Sequence, residues 1–209
     1  MDGIERVRGT AMTMRQTTLT SNTDTPIKVD FALKGTPQHL ELYGGPWNLS
    51  VPAAPTMFLH KQSARRTRWS TQLNFQPTSE RTEAGTVVWW NYLTYSSIGV
   101  RRAADGSRII RFKPAEGAEK TVGLETRDAD VLLAVDCQDL CYKLGFQEIK
   151  DGSSDGKSEI TWVGSVSADI MTRDPTVGAA FTGMMMGLYA FGEMERCLVP
   201  AAFKFAAFE

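Results

Sequence analysis

The chain has 209 residues, enough for one large domain or two small ones. Lys and Arg total 23 against 24 Asp and Glu, a net charge of −1, which argues against a general nucleic-acid binder. The longest apolar stretch, Ala179 to Phe191, is interrupted by Thr182 and two glycines and is shorter than the ~20 residues of a membrane-spanning helix.

The first 28 residues are rich in Thr and show no helix or strand periodicity. We therefore expect residues 1–28 to form a disordered arm. The segment from Thr10 to Thr25 lacks the apolar run that a secretory signal peptide requires. On this ground we expect a cytoplasmic protein.

From residue 29 onward the chain alternates short β-forming segments with turn residues, which predicts one all-β domain over residues 29–209. The clearest turn is Asp105-Gly106, which predicts a hairpin. Residues 150–158 are predicted to be a loop, and Asp174–Val177 is a candidate short helix. The pattern is typical of an antiparallel sandwich or barrel. The predicted strands are His39–Tyr43, Thr56–His60, Arg66–Phe75, Gly85–Tyr92, Ser97–Arg102, Arg108–Lys113, Thr121–Glu125, Val131–Cys137, Cys141–Phe146, Glu159–Val166, Ala179–Ala190 and Phe203–Phe208.

Side chains alternate between the two faces of a strand, so each predicted strand has an inner and an outer set. In the third strand the apolar set, which includes Trp69 and Leu73, is predicted to face the core. The polar set is predicted to face outward and comprises Arg66, Arg68, Ser70, Gln72 and Asn74.

Trp89 and Trp90 are adjacent, so one indole must point away from the main core unless both faces are covered. Trp89 shares its side with Asn91, so we predict that Trp89 lies on an open face, where it can stack on a sugar ring or a flat hydrocarbon. The alternative is that both tryptophans are packing residues.

Two further strands add polar and apolar candidates. Ser97 and Arg101 share one side of their strand, and with Arg66, Arg68 and Gln72 they predict a polar, cationic groove; a solvated sheet face is the alternative. Met185 and Tyr189 lie on one side of a glycine-containing strand and are candidates for an apolar wall, or are simply core.

The sequence contains no nucleophile, phosphate-loop or dinucleotide motif. Glu193-Met194-Glu195 is the nearest match to the paired carboxylates of a glycosidase, but it follows Gly192 where a loop is expected. Cys137, Cys141 and Cys197 have no metal-site spacing with His39 or His60. We therefore expect reduced thiols, and neither a metal nor a cofactor.

Three segments resemble a known family: LELYGGPWNLSVPAAPTMFLHKQ, NFQPTSERTEAGTVVWWNYLTYSSIGVRR and FTGMMMGLYAFGEMERCL. From about Leu40 to Phe208 the chain is similar to the concanavalin A-like C-terminal module of fungal glycoside hydrolase family 43 enzymes, the β-xylosidases and arabinofuranosidases. This resemblance implies a two-sheet antiparallel β-sandwich, a jelly roll, with a concave ligand face. In the parent enzymes the module follows a catalytic β-propeller, and related modules bind xylan.

No propeller and no catalytic carboxylate of that family can be placed on this chain. Combined with the expected intracellular location, this suggests a sandwich adapted to another small-molecule ligand. Our first hypothesis is a cofactor-independent cyclase or isomerase of an apolar natural product, for example a Diels–Alder-type enzyme that folds its substrate and polarises a carbonyl. Its candidate catalytic residues are Arg68, Gln72, Asn91 and Arg101, and its candidate ligand-binding residues are Trp89, Arg66, Ser97, Met185 and Tyr189.

The second hypothesis is a non-catalytic carbohydrate-binding module for xylan or xylo-oligosaccharides that uses Trp89 and nearby polar groups. The third is an interaction domain without ligand chemistry, for which a homodimer is possible. None of the three needs nucleic acid or a membrane span.

Overall fold

The structure is a computed structural model that describes residues 19–20, 26–27, 34–36, 39–53, 55–149, 159–174, 178–179 and 183–209. The regular secondary structure of these residues is strand apart from a single short helix, α1, at Ala168–Met171. The strands are β1 Leu19–Thr20, β2 Pro26–Ile27, β3 Lys34–Thr36, β4 His39–Leu42, β5 Thr56–Lys61, β6 Thr67–Asn74, β7 Thr82–Trp89, β8 Tyr95–Arg102, β9 Arg108–Lys113, β10 Lys120–Gly123, β11 Asp130–Gln138, β12 Cys141–Ile149, β13 Thr161–Ser167, β14 Arg173–Asp174, β15 Gly178–Ala179, β16 Met185–Gly192 and β17 Ala201–Phe208.

Two antiparallel sheets form the body of the domain. The six-stranded sheet has the order β10-β9-β8-β7-β16-β5, and the seven-stranded sheet has the order β13-β12-β11-β6-β17-β4-β3. Two small ribbons, β1–β2 and β14–β15, accompany them. Every predicted strand overlaps an observed one, and the prediction of an all-β antiparallel sandwich is confirmed.

The core lies between the two sheets because alternate residues of each sheet point inward. Trp69 and Leu133 come from the seven-stranded sheet and meet Ile98 of the six-stranded sheet in one buried cluster. A buried polar bond also joins the sheets: the Trp69 indole N–H donates to the Thr86 hydroxyl at 2.8 Å. The Thr86 hydroxyl in turn donates to the carbonyl of Gly187 at 2.7 Å, so both polar groups are satisfied.

The last two strands of the chain lie inside the sheets and not at their edges. β16 pairs with both β7 and β5, and β17 pairs with both β6 and β4. The N-terminal strands β4 and β5 therefore join their sheets only through strands formed by the C-terminal residues.

Local predictions have mixed outcomes. The hairpin at Asp105-Gly106 is confirmed, and Gly106 has the left-handed φ of +87° that such a turn needs. The helix α1 begins after Ser167, whose side chain accepts a hydrogen bond from the amide of Asp169. The loop predicted for 150–158 and most of the arm predicted for 1–28 lie outside the described residues, as does most of the candidate helix Asp174–Val177. Among the described residues no helix is long and apolar enough to cross a membrane.

Leu133 is fully buried between the sheets, whereas Leu140 is 78% exposed in the turn that follows β11. We expect Leu133→Ala to lower the free energy of unfolding by about 2–5 kcal/mol, because it removes buried methyl groups and leaves a cavity. Leu140→Ala, the same change on the surface, should be within about 0.5 kcal/mol of wild type. Urea denaturation measures both; equal effects would show that Leu133 is not part of a packed core.

Candidate functional site

The outer face of the six-stranded sheet carries a second apolar cluster that is separate from the main core. Its buried members are Leu49, Val87, Tyr95, Tyr189 and Phe191, and Met57, Leu59 and Trp89 pack against them. Leu49 belongs to the segment between β4 and β5, not to the sheet. The outer face is therefore partly closed by this covering segment, residues 44–51.

Backbone hydrogen bonds hold the covering segment to the chain that follows β16. The amides of Gly192, Met194 and Cys197 donate to the carbonyls of Gly45, Pro46 and Gly44 at 2.8, 3.0 and 2.9 Å. A Cβ at Gly44 would lie 2.7 Å from backbone atoms of Phe191, so only glycine permits this approach. The segment is thus fixed over one end of the sheet, where it places Asn48, Leu49 and Ser50.

A buried carboxylate lies on the same outer face at this end of the sheet. Glu83 on β7 is fully buried and accepts hydrogen bonds from the Tyr189 hydroxyl at 2.6 Å and the Arg111 guanidinium at 2.8 Å. Arg101 approaches it at 3.5 Å. A Cβ at Gly99 would lie 2.4 Å from the Tyr189 hydroxyl, so the glycine provides the space for this contact. Burial and the negative charge of Glu83 raise the pKa of Tyr189, which keeps its hydroxyl protonated as the donor.

Each arginine that contacts Glu83 also binds a second, more exposed carboxylate. Arg101 forms two hydrogen bonds with Glu193, at 3.0 and 3.3 Å. Arg111 forms two with Glu119, at 2.9 and 2.5 Å. Burial lowers the pKa of Arg111, but the charge of Glu83 and the bonds to both carboxylates outweigh it and raise that pKa. Burial raises the pKa of Glu193, but its bonds with Arg101 outweigh that effect and hold the pKa below the usual range.

Ser50, Tyr95 and Lys113 form a hydrogen-bonded group next to these ion pairs. The Ser50 and Tyr95 hydroxyls are 2.6 Å apart, and the Lys113 ammonium donates to Ser50 at 2.8 Å and also to Tyr95. The same ammonium lies 4.1 Å from the centre of the Tyr95 ring. The group joins the covering segment to strands β8 and β9.

These residues enclose a cavity of about 240 Å³, here called the loop-side cavity. Its lining combines charged, amide and hydroxyl groups with three buried apolar side chains. Two cations face two carboxylates, so the lining carries no net formal charge. The lining residues are Asn48, Leu49, Ser50, Tyr95, Ser97, Arg111, Lys113, Glu119, Phe191 and Glu193.

Six of the predicted site residues lie on or beside the six-stranded sheet. Met185, Trp89 and Tyr95 are directly opposed on adjacent strands, and the Trp89 and Tyr95 rings are 5.5 Å apart. Trp89 packs with the outer cluster while Trp90 packs against the main core, as the alternation predicted. Ser97 lines the cavity and is almost fully buried.

The other three residues of this group have structural partners. Tyr189, predicted as an apolar wall, is fully buried and directs its hydroxyl to Glu83. The Arg101 guanidinium forms ion pairs with Glu83 and Glu193. Asn91 shapes the turn between β7 and β8, where its side-chain oxygen accepts from the amides of Leu93 and Thr94 at 2.8 Å each.

The prediction that Arg66, Arg68 and Gln72 share a groove with Ser97 and Arg101 is wrong. Arg68 and Gln72 are on β6 and Arg66 precedes it, so all three belong to the seven-stranded sheet, on the opposite side of the sandwich. Their partners are there as well: Arg66 bonds to Asp139 at 2.9 Å, and Gln72 donates to Asp130 at 2.6 Å.

Sequence reasoning did not select most of the cavity lining. Arg111 and Lys113 alternate with Ile110 and Phe112 on β9, and that period-two pattern could have placed both cations on one outer face. Glu119 and Ser50 lie outside any strand, so no periodicity identifies them. Glu193 does lie in a loop after β16, as expected.

Among the described residues, the cysteine thiols form neither a disulfide nor part of a metal-binding group. All three cysteines are free, and burial raises the pKa of Cys137 to about 12. In the same described residues, no group of three or more His, Cys, Asp and Glu side chains is placed to hold a metal ion.

The family model of the beta xylosidase C-terminal concanavalin A-like domain matches residues 22–209 of this chain. No curated protein matches this chain. Among solved structures, the chain is similar to the Bacteroides ovatus xyloglucan PUL GH43B, with a TM-score of 0.70 and 22% identity over 83% of this chain and 33% of that one. The xylan beta-1,4-xylosidase from Bacillus halodurans C-125 gives a TM-score of 0.68 and 21% identity over 82% and 32%.

The chain therefore spans about a third of the length of these enzymes. A functionally unknown protein from Saccharomyces cerevisiae has a TM-score of 0.59 and 10% identity, and the match covers 85% of this chain and 91% of that one. The same fold thus also makes up nearly all of a solved chain. At these identities the similarities establish the fold.

Substitution of Glu83 tests the network of ion pairs that it forms with Arg101 and Arg111. We expect Glu83→Gln to lower the free energy of unfolding by about 3–5 kcal/mol, because it leaves two partly buried arginines without their shared charge. Glu119→Gln, the same change at a side chain that is 44% exposed, should cost no more than about 1 kcal/mol. Chemical denaturation compares the two variants; a Glu83→Gln protein as stable as Glu119→Gln would contradict the network.

The Arg101–Glu193 pair predicts a pH dependence. Because the pKa of folded Glu193 is below its ordinary value of 4.5, the pair adds stability that is complete above that value and is lost as pH falls through the folded pKa. The stability difference between wild type and Glu193→Gln should therefore shrink between about pH 6 and pH 3. Urea midpoints across this range provide the measurement, and a constant or growing difference would refute the assignment.

Proposed function

We propose that this chain binds neutral carbohydrate in the loop-side cavity. The premise is that the chain belongs to the family of beta xylosidase C-terminal concanavalin A-like domains. The observation that carries the proposal is the composition of the cavity lining. Hydroxyl, amide and carboxylate groups converge there on a space of about 240 Å³ with balanced charge.

Sugar hydroxyls both donate and accept hydrogen bonds, so they need donors and acceptors close together. The cavity supplies donors from the Lys113 ammonium and acceptors from Glu119 and Glu193, and the Ser50 hydroxyl can do either. The two carboxylates are 44% and 32% exposed, so their oxygens remain accessible although each binds an arginine. The balance of two cations and two anions favours a neutral ligand, because a charged one would leave a charge without a partner.

Binding by this chain needs no bond-making step. Lys113 would orient one ring hydroxyl while the carboxylates accept from others, and the buried Tyr95 and Phe191 limit how deeply the ring enters. The Glu83 network would act indirectly, because it fixes Arg101 and Arg111, which in turn hold Glu193 and Glu119 in place.

The cyclase or isomerase hypothesis receives less support from this geometry. It needs an apolar chamber, but Tyr189 is fully buried and the cavity is lined mainly by polar groups. A hydroxyl-rich ligand suits such a lining better than a polyene. Catalysis and the cytoplasmic location stay predictions.

Lys113 tests the proposal. A short neutral probe, xylotriose, should raise the melting temperature of the wild-type protein because it binds only the folded state. Lys113→Met should weaken xylotriose binding about tenfold or more, since it removes a charged hydrogen-bond donor from the cavity. Isothermal titration calorimetry measures the affinity.

Lys120→Met is the matched control. Lys120 lies on the neighbouring strand β10, is exposed, and is not part of the cavity lining. Its variant should bind as wild type does. If xylotriose and other neutral oligosaccharides fail to bind the wild-type protein, or if both variants bind equally well, the cavity is not the sugar site.

A further inference from the structure

The floor of the loop-side cavity is a small part of the six-stranded sheet. Two adjacent strands supply it: Tyr95 and Ser97 come from β8, and Arg111 and Lys113 come from β9, with Ser97 directly opposite Lys113. Each strand therefore contributes residues that are only two positions apart. From the rise per residue and the spacing of strands, this floor measures about 7 Å along the strands and about 5 Å across them.

Contacts between the covering segment and the sheet limit the cavity at one end of this floor. The Ser50 hydroxyl lies 2.6 Å from the Tyr95 hydroxyl and accepts a hydrogen bond from the Lys113 ammonium at 2.8 Å. Leu49, the preceding residue, is buried against Phe191 in the outer cluster. A chain of sugar rings that lay along β8 would have to break these contacts to continue past Tyr95.

Ion pairs limit the cavity at the other end of the floor. Glu193, in the loop after β16, pairs with Arg101 on β8 at 3.0 Å. Glu119, in the turn before β10, bonds to Arg111 on β9 at 2.9 Å. Both carboxylates line the cavity, so each pair connects a wall of the cavity to the sheet.

The walls of the cavity are also joined to one another. The two neighbours of Glu193 in the chain donate backbone hydrogen bonds to the covering segment, at 2.8 and 3.0 Å. A closed circuit therefore runs from the covering segment to β8 and β9, along these strands to the two arginines, and through Glu193 back to the covering segment. A polymer that lay across this part of the sheet would have to cross the circuit.

The rim of the cavity is exposed, whereas its base is buried. Ser50 is exposed, and the side chains of Glu119 and Glu193 are 44% and 32% exposed. Tyr95 and Phe191 at the base are 5% and 2% exposed. The mouth of the cavity therefore lies on the side away from the sheet, and a ligand enters it end-on.

The volume of the cavity agrees with this shape. At about 240 Å³ it is smaller than the ~300–1,000 Å³ of pockets that enclose drug-sized ligands. One pyranose ring fits this space and the floor beneath it, whereas two linked rings are longer than the floor. Because the walls are joined, a bound ring can be linked to the rest of its chain only through the mouth.

We infer that the loop-side cavity takes one terminal sugar ring and excludes the interior rings of a chain; this inference rests on the proposed function. An interior ring carries glycosidic bonds at two positions, and the second bond would point into a wall. A terminal ring carries one such bond, which leaves through the mouth. The ligand class is therefore the chain ends of neutral oligosaccharides and polysaccharides.

The length of the sugar chain tests the inference. Isothermal titration calorimetry should give affinities for xylotriose and xylohexaose that agree within about twofold, because the added rings lie outside the mouth and contribute no contacts. An affinity for xylohexaose that is about tenfold higher or more would overturn the inference, since the gain requires that further rings are bound.

Partial hydrolysis of a short, soluble, unbranched xylan separates the number of chain ends from the mass of chain. The intact xylan and the same mass of its hydrolysate are used as competitors of xylotriose. If only ends bind, hydrolysis that raises the concentration of ends about tenfold should raise the competing strength about tenfold, by mass action. Equal competition per mass before and after hydrolysis would show that interior rings bind, and would overturn the inference.

Lys113→Met and its control Lys120→Met show whether both sugars bind in the cavity. Lys113→Met should weaken xylotriose and xylohexaose by the same factor, about tenfold or more, because the same terminal ring contacts the ammonium in each case. Lys120→Met, on the neighbouring strand, should change neither affinity. A loss of affinity for xylotriose alone would overturn the inference, because the longer chain would then bind through other rings.

Failure of this inference differs from failure of the proposed function. If neither xylotriose nor xylohexaose binds the wild-type protein, the proposed function fails and the inference fails with it. If both bind through Lys113 but the longer chain binds about tenfold more tightly, the proposed function stands and only the exclusion of interior rings is overturned.

Discussion

A fully buried carboxylate, Glu83, organises the outer face of the six-stranded sheet. A charge removed from water must be paired and hydrogen-bonded, and Glu83 obtains this from Tyr189, Arg101 and Arg111. The same requirement explains why residue 99 is glycine, because a side chain at Gly99 would displace the Tyr189 hydroxyl. The arginines then extend the network outward to Glu193 and Glu119, which become walls of the loop-side cavity. The polar cavity is thus built outward from one buried charge.

Local periodicity predicted much of this fold. The alternation along β6 and β7 placed Trp69 in the core and Trp89 outside it, because the side-chain period of a strand depends only on neighbouring residues. The resemblance named the family that the model match over residues 22–209 supports. These successes concern information carried by short, contiguous stretches of sequence.

The arrangement of the sites depends on contacts between distant residues, and there the sequence was a poor guide. Arg68 and Arg101 both belong to the predicted polar side of a strand, but β6 and β8 belong to different sheets. No residue pattern within either strand reveals this difference. Leu49 closes part of an outer face that alternation left open. Trp162 faces outward only because a single extra residue shifts the register of β13. Strand pairing, coverage of a sheet by a loop and the position of a bulge each depend on contacts with residues that are distant in the sequence.

The central positions of β16 and β17 have a consequence for how the domain folds during synthesis. Within the two sheets both are made after all the other strands, and each lies between strands made much earlier. β5, and the side of β4 that does not pair with β3, therefore have no partner in their sheets until β16 and β17 emerge. Pairing of such distant segments carries a large loop-closure cost, so slow, late folding is expected. Until then one edge of β6 and one edge of β7 are open to pairing with other chains, which favours aggregation of the nascent chain.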